Sequence, residues 1–255
     1  MEKFVISLNS AIDRRNHINH EFRKYDISFE FFEAVEPDHL EKLCSLYNIN
    51  LNSSLLTDNE KACFMSHFCL WQKAVDEKLE YIAIFEDDIY LSSNAGVFLN
   101  SDDWINKDII KIEKIAKNVL LELKGRTQQK YKEENYMLGQ LKSSHMGAGG
   151  YILSLNAAKD LIKYIKNSEK LDHVDQIIFK WYRKSGVFNV YQMNPVLCIQ
   201  DCILYPESQK FTSSLQWRNE KKIKLNLWRK AVRELKRLII KVVELPYKVK
   251  LTFIK

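Results

Sequence analysis

Apolar residues fall along this chain in two kinds of pattern. Short, nearly continuous runs occur at Lys3 to Leu8, Phe29 to Val35, Tyr81 to Phe85, Asp108 to Ile112, Tyr151 to Ser154 and Val187 to Met193. Runs of this length, rich in Val, Ile, Phe and Tyr, read as strands buried on both faces. Between them come stretches with helical spacing: about Asp13 to Lys24, Thr57 to Glu77, Asn156 to Ile165 and His173 to Lys184. Thr57-Asp58-Asn59-Glu60 is a capping box opening the second of these, and Ser154 or Asn156 would cap the third. The order strand, turn, helix, strand at the start predicts a βαβ unit with a parallel pair. Residues 114–135 are charged and without clear period, and are expected to form a mobile loop.

A last helical pattern begins at Leu227. Trp228, Ala231, Val232, Leu235, Leu238, Ile239, Val242 and Val243 share one face, Lys and Arg occupy the other, and Pro246 ends it. Charge sets this segment apart. Residues 217–255 hold 13 Lys/Arg against 3 Asp/Glu, a net of +10, so the rest of the chain carries −4 of the total +6. The pattern divides into a domain at 1–216 and a basic amphipathic segment at 217–255. Such a helix suits the headgroup layer of an anionic membrane, although packing on the body or self-association would also bury its apolar face. No nucleic-acid motif accompanies the basic stripe.

The five cysteines lack CxxC spacing, which argues against a disulfide framework or zinc ribbon and favours a reducing cytosol. The six histidines show no spacing of a metal cluster, and no Ser/His/Asp arrangement stands out. Neither a signal peptide nor an apolar run of the ~20 residues needed to span a bilayer is expected.

The chemistry concentrates at Glu86-Asp87-Asp88, directly behind the apolar run 81–85. Three carboxylates at the end of a buried strand repel and desolvate one another unless a cation joins them. Mg²⁺ or Mn²⁺ suits oxygen ligands and characteristically bridges to phosphates, so the triplet points to a metal-held diphosphate, as in a nucleotide sugar. A solvated acidic strand end is the plain alternative. Ser7, Leu8, Asn9 and Arg14 follow the first strand, where open α/β sheets bind nucleotides. Arg14 or Arg15 would clamp a phosphate or contact the base. Gly147-Ala148-Gly149-Gly150 lets a backbone approach a ligand closely. Ser66 and His67 lie on the helix from Thr57, where the imidazole would reach phosphate or sugar.

Val5-Ile6-Ser7-Leu8…Asp13-Arg14-Arg15, Glu60-Lys61-Ala62-Cys63-Phe64-Met65-Ser66-His67…Trp71, Phe85-Glu86-Asp87-Asp88 and Gly147 to Ser154 occur in this order. As an ordered set over about residues 3 to 215 they resemble glycosyltransferase family 25, the bacterial lipooligosaccharide and lipopolysaccharide galactosyltransferases. The resemblance implies a GT-A-type α/β fold with a mainly parallel central sheet flanked by helices. It also implies a UDP-sugar donor, a divalent metal and inversion at the anomeric carbon. Asp88 would bind the metal directly, with Glu86 or Asp87 acting through water or on the ribose.

An inverting transfer needs a general base. Asp175 matches a family aspartate at this place, and Asp172 competes with it; either would also serve as a helix-terminal acid. Gln200 and Ser213 match the family's late Gln and Ser pattern and would close the donor site. His145, Gly150 and Tyr151 would line the sugar pocket. The implied activity is transfer of a hexose, galactose from UDP-galactose in β linkage, to a lipid-linked lipooligosaccharide core sugar on the cytoplasmic face of a bacterial inner membrane. Rivals are another UDP-sugar donor (glucose or an N-acetylhexosamine), a nucleotide-sugar hydrolase, and a non-catalytic membrane-bound scaffold.

Overall fold

The first apolar run forms β1 (Glu2–Ser7), buried from Lys3 onward, and the chain returns through α1 (Ile12–Arg23) to β2 (Glu30–Glu33). β2 lies parallel to β1 with Phe4 beside Glu30, the βαβ unit that the element order predicts. The computed structural model describes residues 1–51, 54–169, 171–211 and 227–255. Next come α2 (Leu40–Tyr47) and α3 (Asp58–Asp76). The predicted capping box opens α3: Thr57 Oγ1 accepts from the Glu60 N–H at 3.3 Å, and the Thr57 N–H donates to Glu60 Oε2 at 2.7 Å. These bonds satisfy two amide groups that a helix start otherwise leaves open.

The chain continues through β3 (Tyr81–Glu86), β4 (Ile89–Leu91), α4 (Ala95–Leu99), β5 (Ile109–Lys111) and β6 (Glu113–Lys114). Then follow β7 (Asn118–Tyr131), β8 (Glu134–Leu141), β9 (Gly150–Ser154) and α5 (Leu155–Lys166), whose cap is Ser154. The helix expected at 173–184 is built of α6 (Val174–Gln176), a π-helical turn at Ile177–Tyr182 and α7 (Arg183–Ser185). β10 (Val190–Asn194), β11 (Cys198–Gln200), α8 (Asp201–Leu204), α9 (Leu227–Glu244) and β12 (Lys248–Lys250) complete it.

Among the described residues, nine strands form the central sheet in the order β12-β7-β8-β10-β5-β9-β3-β1-β2, and β4-β11-β6 form a small second sheet. Both faces of the large sheet are covered. Along β3, Ile82 and Ile84 pack with Phe64, Phe68 and Trp71 of α3, while Ala83 and Phe85 pack with Ile18 and Phe22 of α1. Successive strand side chains point to opposite faces, so a strand covered on both sides must be apolar throughout, which explains the continuous runs.

The helix-flanked α/β class is as expected, but strand direction is mixed rather than mainly parallel. β1 is parallel to β2 and β3, and β5 to β10; β9 is antiparallel to both β3 and β5, and β8 to both β7 and β10. This reversal positions the site. Phe85 near the end of β3 pairs with Gly150 at the start of β9, and Lys111 at the end of β5 pairs with Tyr151. A parallel β9 would have carried its leading glycines to the opposite edge.

Residues 114–135 are not the expected loop. Most belong to β7, whose long hairpin with β8 runs from Leu121 opposite Leu141 to Tyr131 opposite Glu134. Its exposed outer half is polar, which obscures strand alternation in the sequence; cross-strand pairing maintains it. The chain end returns to this hairpin. β12 pairs antiparallel with β7 (Val249 opposite Val119), Val196 bridges Phe253, and the Lys142 ammonium sits 3.9 Å from the Tyr247 ring centre.

Candidate active site

The acidic triplet divides into two kinds of carboxylate. Asp87 is fully engaged: Ser7 Oγ donates to its Oδ2 at 2.7 Å and Arg14 Nη1 to its Oδ1 at 2.5 Å. It ties the ends of β1 and α1 to the end of β3. Glu86 and Asp88 turn instead to one amide, the Gln200 Nε2 group, which donates to Glu86 Oε2 at 2.7 Å and to Asp88 Oδ1 at 3.2 Å. Burial and neighbouring carboxylates push Glu86 up to about 8, with Glu113, Asp87 and Asp175 adding to the effect and Lys111 opposing it. Burial and Glu86 push Asp88 up to about 7, against Arg14 at 3.9 Å and the Gln200 hydrogen bond.

Two partly buried carboxylates compete for one amide, with Arg14 at 3.9 Å from Asp88 as a nearby positive charge. A hard divalent cation fits them: both offer carboxylate oxygens, both reach the same Gln200 amide, and ionising both without a counter-charge is costly.

The opposite wall is the glycine turn, held on all sides. Asp175 Oδ2 accepts from the Gly147 N–H at 2.9 Å, and Lys111 Nζ donates to the Gly147 carbonyl at 2.5 Å. Glu113 Oε2 accepts from the Gly149 N–H at 3.1 Å and from Lys111 at 2.7 Å. The Gly149 carbonyl accepts from the Glu86 N–H at 3.2 Å, joining the two walls. Gly147 has φ +78°, and a Cβ on Gly149 would stand 2.9 Å from Glu113 Oε1 and 3.0 Å from Gln200 Cγ, so both positions require glycine. Asp175 also accepts from the Gln176 N–H at 2.6 Å. These bonds hold its carboxylate at the rim, close enough to Glu86 to raise it.

The third side is built by Asp201. Its Oδ2 accepts from the N–H groups of Lys210 (2.6 Å) and Phe211 (2.9 Å), its Oδ1 from the Tyr90 hydroxyl (3.1 Å), and its own N–H donates to the Asp88 carbonyl (2.8 Å). This turn places the Phe211 ring 5.3 Å from the Arg14 guanidinium.

Other expected residues take different positions. Arg15 is no free phosphate clamp: it donates to the carbonyls of Leu8 (3.0 Å) and Ser7 (2.9 Å) and to Glu33 (2.9 Å), which also accepts from the Asn9 N–H (2.7 Å). It locks the turn after β1. Ser66 Oγ bridges the Ala62 carbonyl and the Val35 N–H within the scaffold. His67 is buried, with Nδ1 2.7 Å from the Tyr151 hydroxyl, and burial lowers it to about 3. Tyr151 also receives the Trp71 indole N–H at 3.0 Å, so its hydroxyl is occupied in the core.

Gly150 faces Cys198, whose Sγ would stand 2.3 Å from an added Cβ; close strand packing, not a sugar pocket, explains that glycine. His145 is buried and lowered to about 3 by burial and Lys111. Asp172 accepts from its neighbour's N–H (2.8 Å) and from the Trp181 indole (3.1 Å). Ser213 lies outside the described residues.

Sequence reasoning passed over Lys111, Glu113 and Asp201, all fully buried. The signal for the first two was available: two charges two residues apart, at the end of a β-branched run, require partners when buried.

The chain is similar to several known proteins. The profile of glycosyltransferase family 25 (LPS biosynthesis protein) matches residues 1–178. The lipooligosaccharide biosynthesis protein lic2B of Haemophilus influenzae is 36% identical over 252 residues, which cover 96% of this chain and 92% of the relative. The lacto-N-neotetraose biosynthesis glycosyltransferase LgtE of Neisseria meningitidis serogroup B is 36% identical over 212 residues, 79% of this chain and 74% of the relative. Among solved structures, a glycosyltransferase involved in glycosylation of the major capsid of PBCV-1 aligns with 79% of this chain and 92% of its own at 9% identity and TM-score 0.44.

The chain is therefore an enzyme that transfers a sugar. It belongs to glycosyltransferase family 25, whose members here act in lipooligosaccharide biosynthesis.

Proposed function

We propose that this enzyme transfers a hexose, galactose from UDP-galactose, in β linkage onto a lipooligosaccharide core sugar, with inversion and with Mn²⁺ or Mg²⁺ as cofactor. The observation that carries the reading is the Gln200 amide shared by Glu86 and Asp88, two carboxylates that burial and mutual repulsion hold partly protonated. Asp88 and Glu86 would hold the cation. Bound there, it supplies counter-charge to the donor diphosphate as UDP departs.

The chain's own residues do the rest. Arg14 stands beside Asp87 and Asp88 at the end of β1, placed to receive a donor phosphate or the base. The glycine turn presents backbone with no side chain in the way. Asp175, steadied by two backbone N–H groups, takes the proton of the acceptor hydroxyl as that oxygen attacks the anomeric carbon from the face opposite UDP. The choice of galactose rests on the family resemblance, and the lipooligosaccharide acceptor on the names of the relatives.

The acceptor's lipid implies a membrane surface, and the inner face of a bacterial inner membrane is the proposed location. Two features support docking there: the net +10 of residues 217–255, and the exposure of Leu238, Ile239, Val242, Val243 and Leu245 on and beside α9. No described helix is long and apolar enough to cross a membrane. Loss of sedimentation with phosphatidylglycerol vesicles on Leu238→Asp/Val242→Asp would support this docking; unchanged sedimentation would refute it.

Activity is tested by UDP release from a panel of UDP-sugars, with Mn²⁺ or with EDTA, with and without galactose- or glucose-terminated acceptors. Metal-dependent release from UDP-galactose, stimulated by one acceptor, is expected. Release indifferent to every acceptor would point to a hydrolase. Full turnover in EDTA would remove the metal from the mechanism.

A further inference from the structure

Beside the donor carboxylates lies a second group of metal-ligating atoms with different chemistry. Cys63 and His67 are four residues apart on α3 and so share one face of it, directed at the end of β3. Cys63 Sγ, a ring nitrogen of His67 and a carboxylate oxygen of Glu86 all lie within 4.8 Å of one another. The His67 side chain is 0% exposed, and its Nε2 has no hydrogen-bond partner and stands 3.9 Å from Glu86 Oε1.

A buried ring nitrogen without a partner is costly, so its direction is informative. The other nitrogen, Nδ1, is fixed by the Tyr151 hydroxyl, which Trp71 fixes in turn. That is the outer support a ligating imidazole ordinarily receives. Cys63 is only partly buried.

We propose that Cys63 Sγ, His67 Nε2 and Glu86 Oε1 form a site for a thiophilic divalent cation of the zinc class, and that its occupation inhibits transfer by withdrawing Glu86 from the donor site. The binding stands on these three residues alone, whereas the inhibition rests on the proposed function. Sulfur and nitrogen donors favour Zn²⁺ and Co²⁺, while the oxygen-only neighbourhood of Asp88 favours Mg²⁺ and Mn²⁺. On binding, the Cys63 thiol and a protonated Glu86 release their protons to solvent. The ion then takes thiolate, imidazole and carboxylate, with water in the fourth position. Ligand atoms of a tetrahedral zinc site stand about 3.5 Å apart, so rotations of the Cys63 and Glu86 side chains complete the geometry.

The test uses the full chain, freed of metal and titrated with Co²⁺. A thiolate-to-cobalt charge-transfer absorption should rise to one equivalent and vanish when one equivalent of Zn²⁺ is added. Cys63→Ala, at a partly exposed position where the fold should hold (checked by thermal melting), should abolish the absorption, and Asp88→Asn should retain it. His67→Gln should weaken Zn²⁺ binding by at least about tenfold. Absence of a thiolate band at equimolar Co²⁺, or its survival in Cys63→Ala, overturns the site. Zn²⁺ that binds stoichiometrically yet leaves Mn²⁺-supported UDP release unchanged overturns the inhibition alone. Failure of the transferase reading would leave the cobalt spectrum intact, so the two readings can fail separately.

Discussion

The two walls of the cleft are joined by the hydrogen bond from the Glu86 N–H to the Gly149 carbonyl, yet they handle charge in opposite ways. On the glycine wall Lys111 is matched by Glu113, and the amides of Gly147 and Gly149 have carboxylate partners. On the acidic wall Glu86 and Asp88 share one neutral amide and hold raised proton affinities. Both walls carry charge, fully buried at Lys111 and Glu113 and partly buried at Glu86 and Asp88, so the presence of charge alone does not distinguish scaffold from chemistry. Charge balance does: the paired wall holds a shape, and the less compensated wall is where the proposed cation would add counter-charge.

Breaking the paired wall should have the largest effect. Glu113→Ala leaves Lys111 charged and uncompensated in the core, and should destabilise the protein by about 3–5 kcal/mol in urea unfolding. A small loss would mean that Lys111 is readily neutralised and that the wall is less charged than its geometry indicates. The less compensated wall should respond in the opposite sense. Asp88→Asn should reduce UDP release by on the order of 10³-fold, while its melting temperature holds or rises because a repulsion has been removed. A marked loss of stability would show that Asp88 is structural.

Acidity sharpens the contrast. Glu86 and Asp88 sit at about 8 and about 7 in the folded protein, against roughly 4.3 and 3.9 for unfolded carboxylates. Between those limits the native state binds more protons than the unfolded chain. The metal-free enzyme should therefore be most favoured below about pH 4 as far as these two groups are concerned, and lose that contribution as pH rises to about 8. Melting in EDTA across this range should show the decline, Glu86→Gln should flatten it, and saturating Mn²⁺ should raise stability most at the alkaline end. A flat profile for the unaltered enzyme would contradict the crowding of the two carboxylates.

Smaller effects are expected further out. Gly149→Ala presses a methyl group on the pinned Glu113 carboxylate and on Gln200, and should cost about 1–3 kcal/mol. Because Gln200 holds both Glu86 and Asp88, that substitution should also lower turnover; stability lost with full turnover would separate the two effects. Glu33→Gln removes a largely exposed partner of Arg15 and should change stability by less than about 1 kcal/mol.

Much of the scaffold was legible in the order of residues. The capping box of α3, the βαβ start and the strand ahead of the acidic triplet follow from periods and caps that act over a few residues. The hairpin of β7 and β8 was not legible, because its polar outer half becomes strand only by pairing with a neighbour. Arg14 and Arg15 show the same limit within the site. As adjacent residues of one type they are interchangeable in sequence, and only the fold turns one to Asp87 and the other to Glu33 and the β1 turn. The Cys63–His67–Glu86 group was hidden too, since its third ligand comes from another element.

Local chemistry along the chain therefore determined the α/β class, the family and the neighbourhood of Glu86-Asp87-Asp88, because hydrophobic period, capping and motif order are properties of short segments. The tertiary structure decided which carboxylate is spent and which is available. It ran β9 antiparallel to β3, bringing the glycine turn to the acidic strand end, and it set Gln200 between Glu86 and Asp88. Charge compensation acts through space between residues far apart in the chain, so no reading of neighbours along the sequence assigns it.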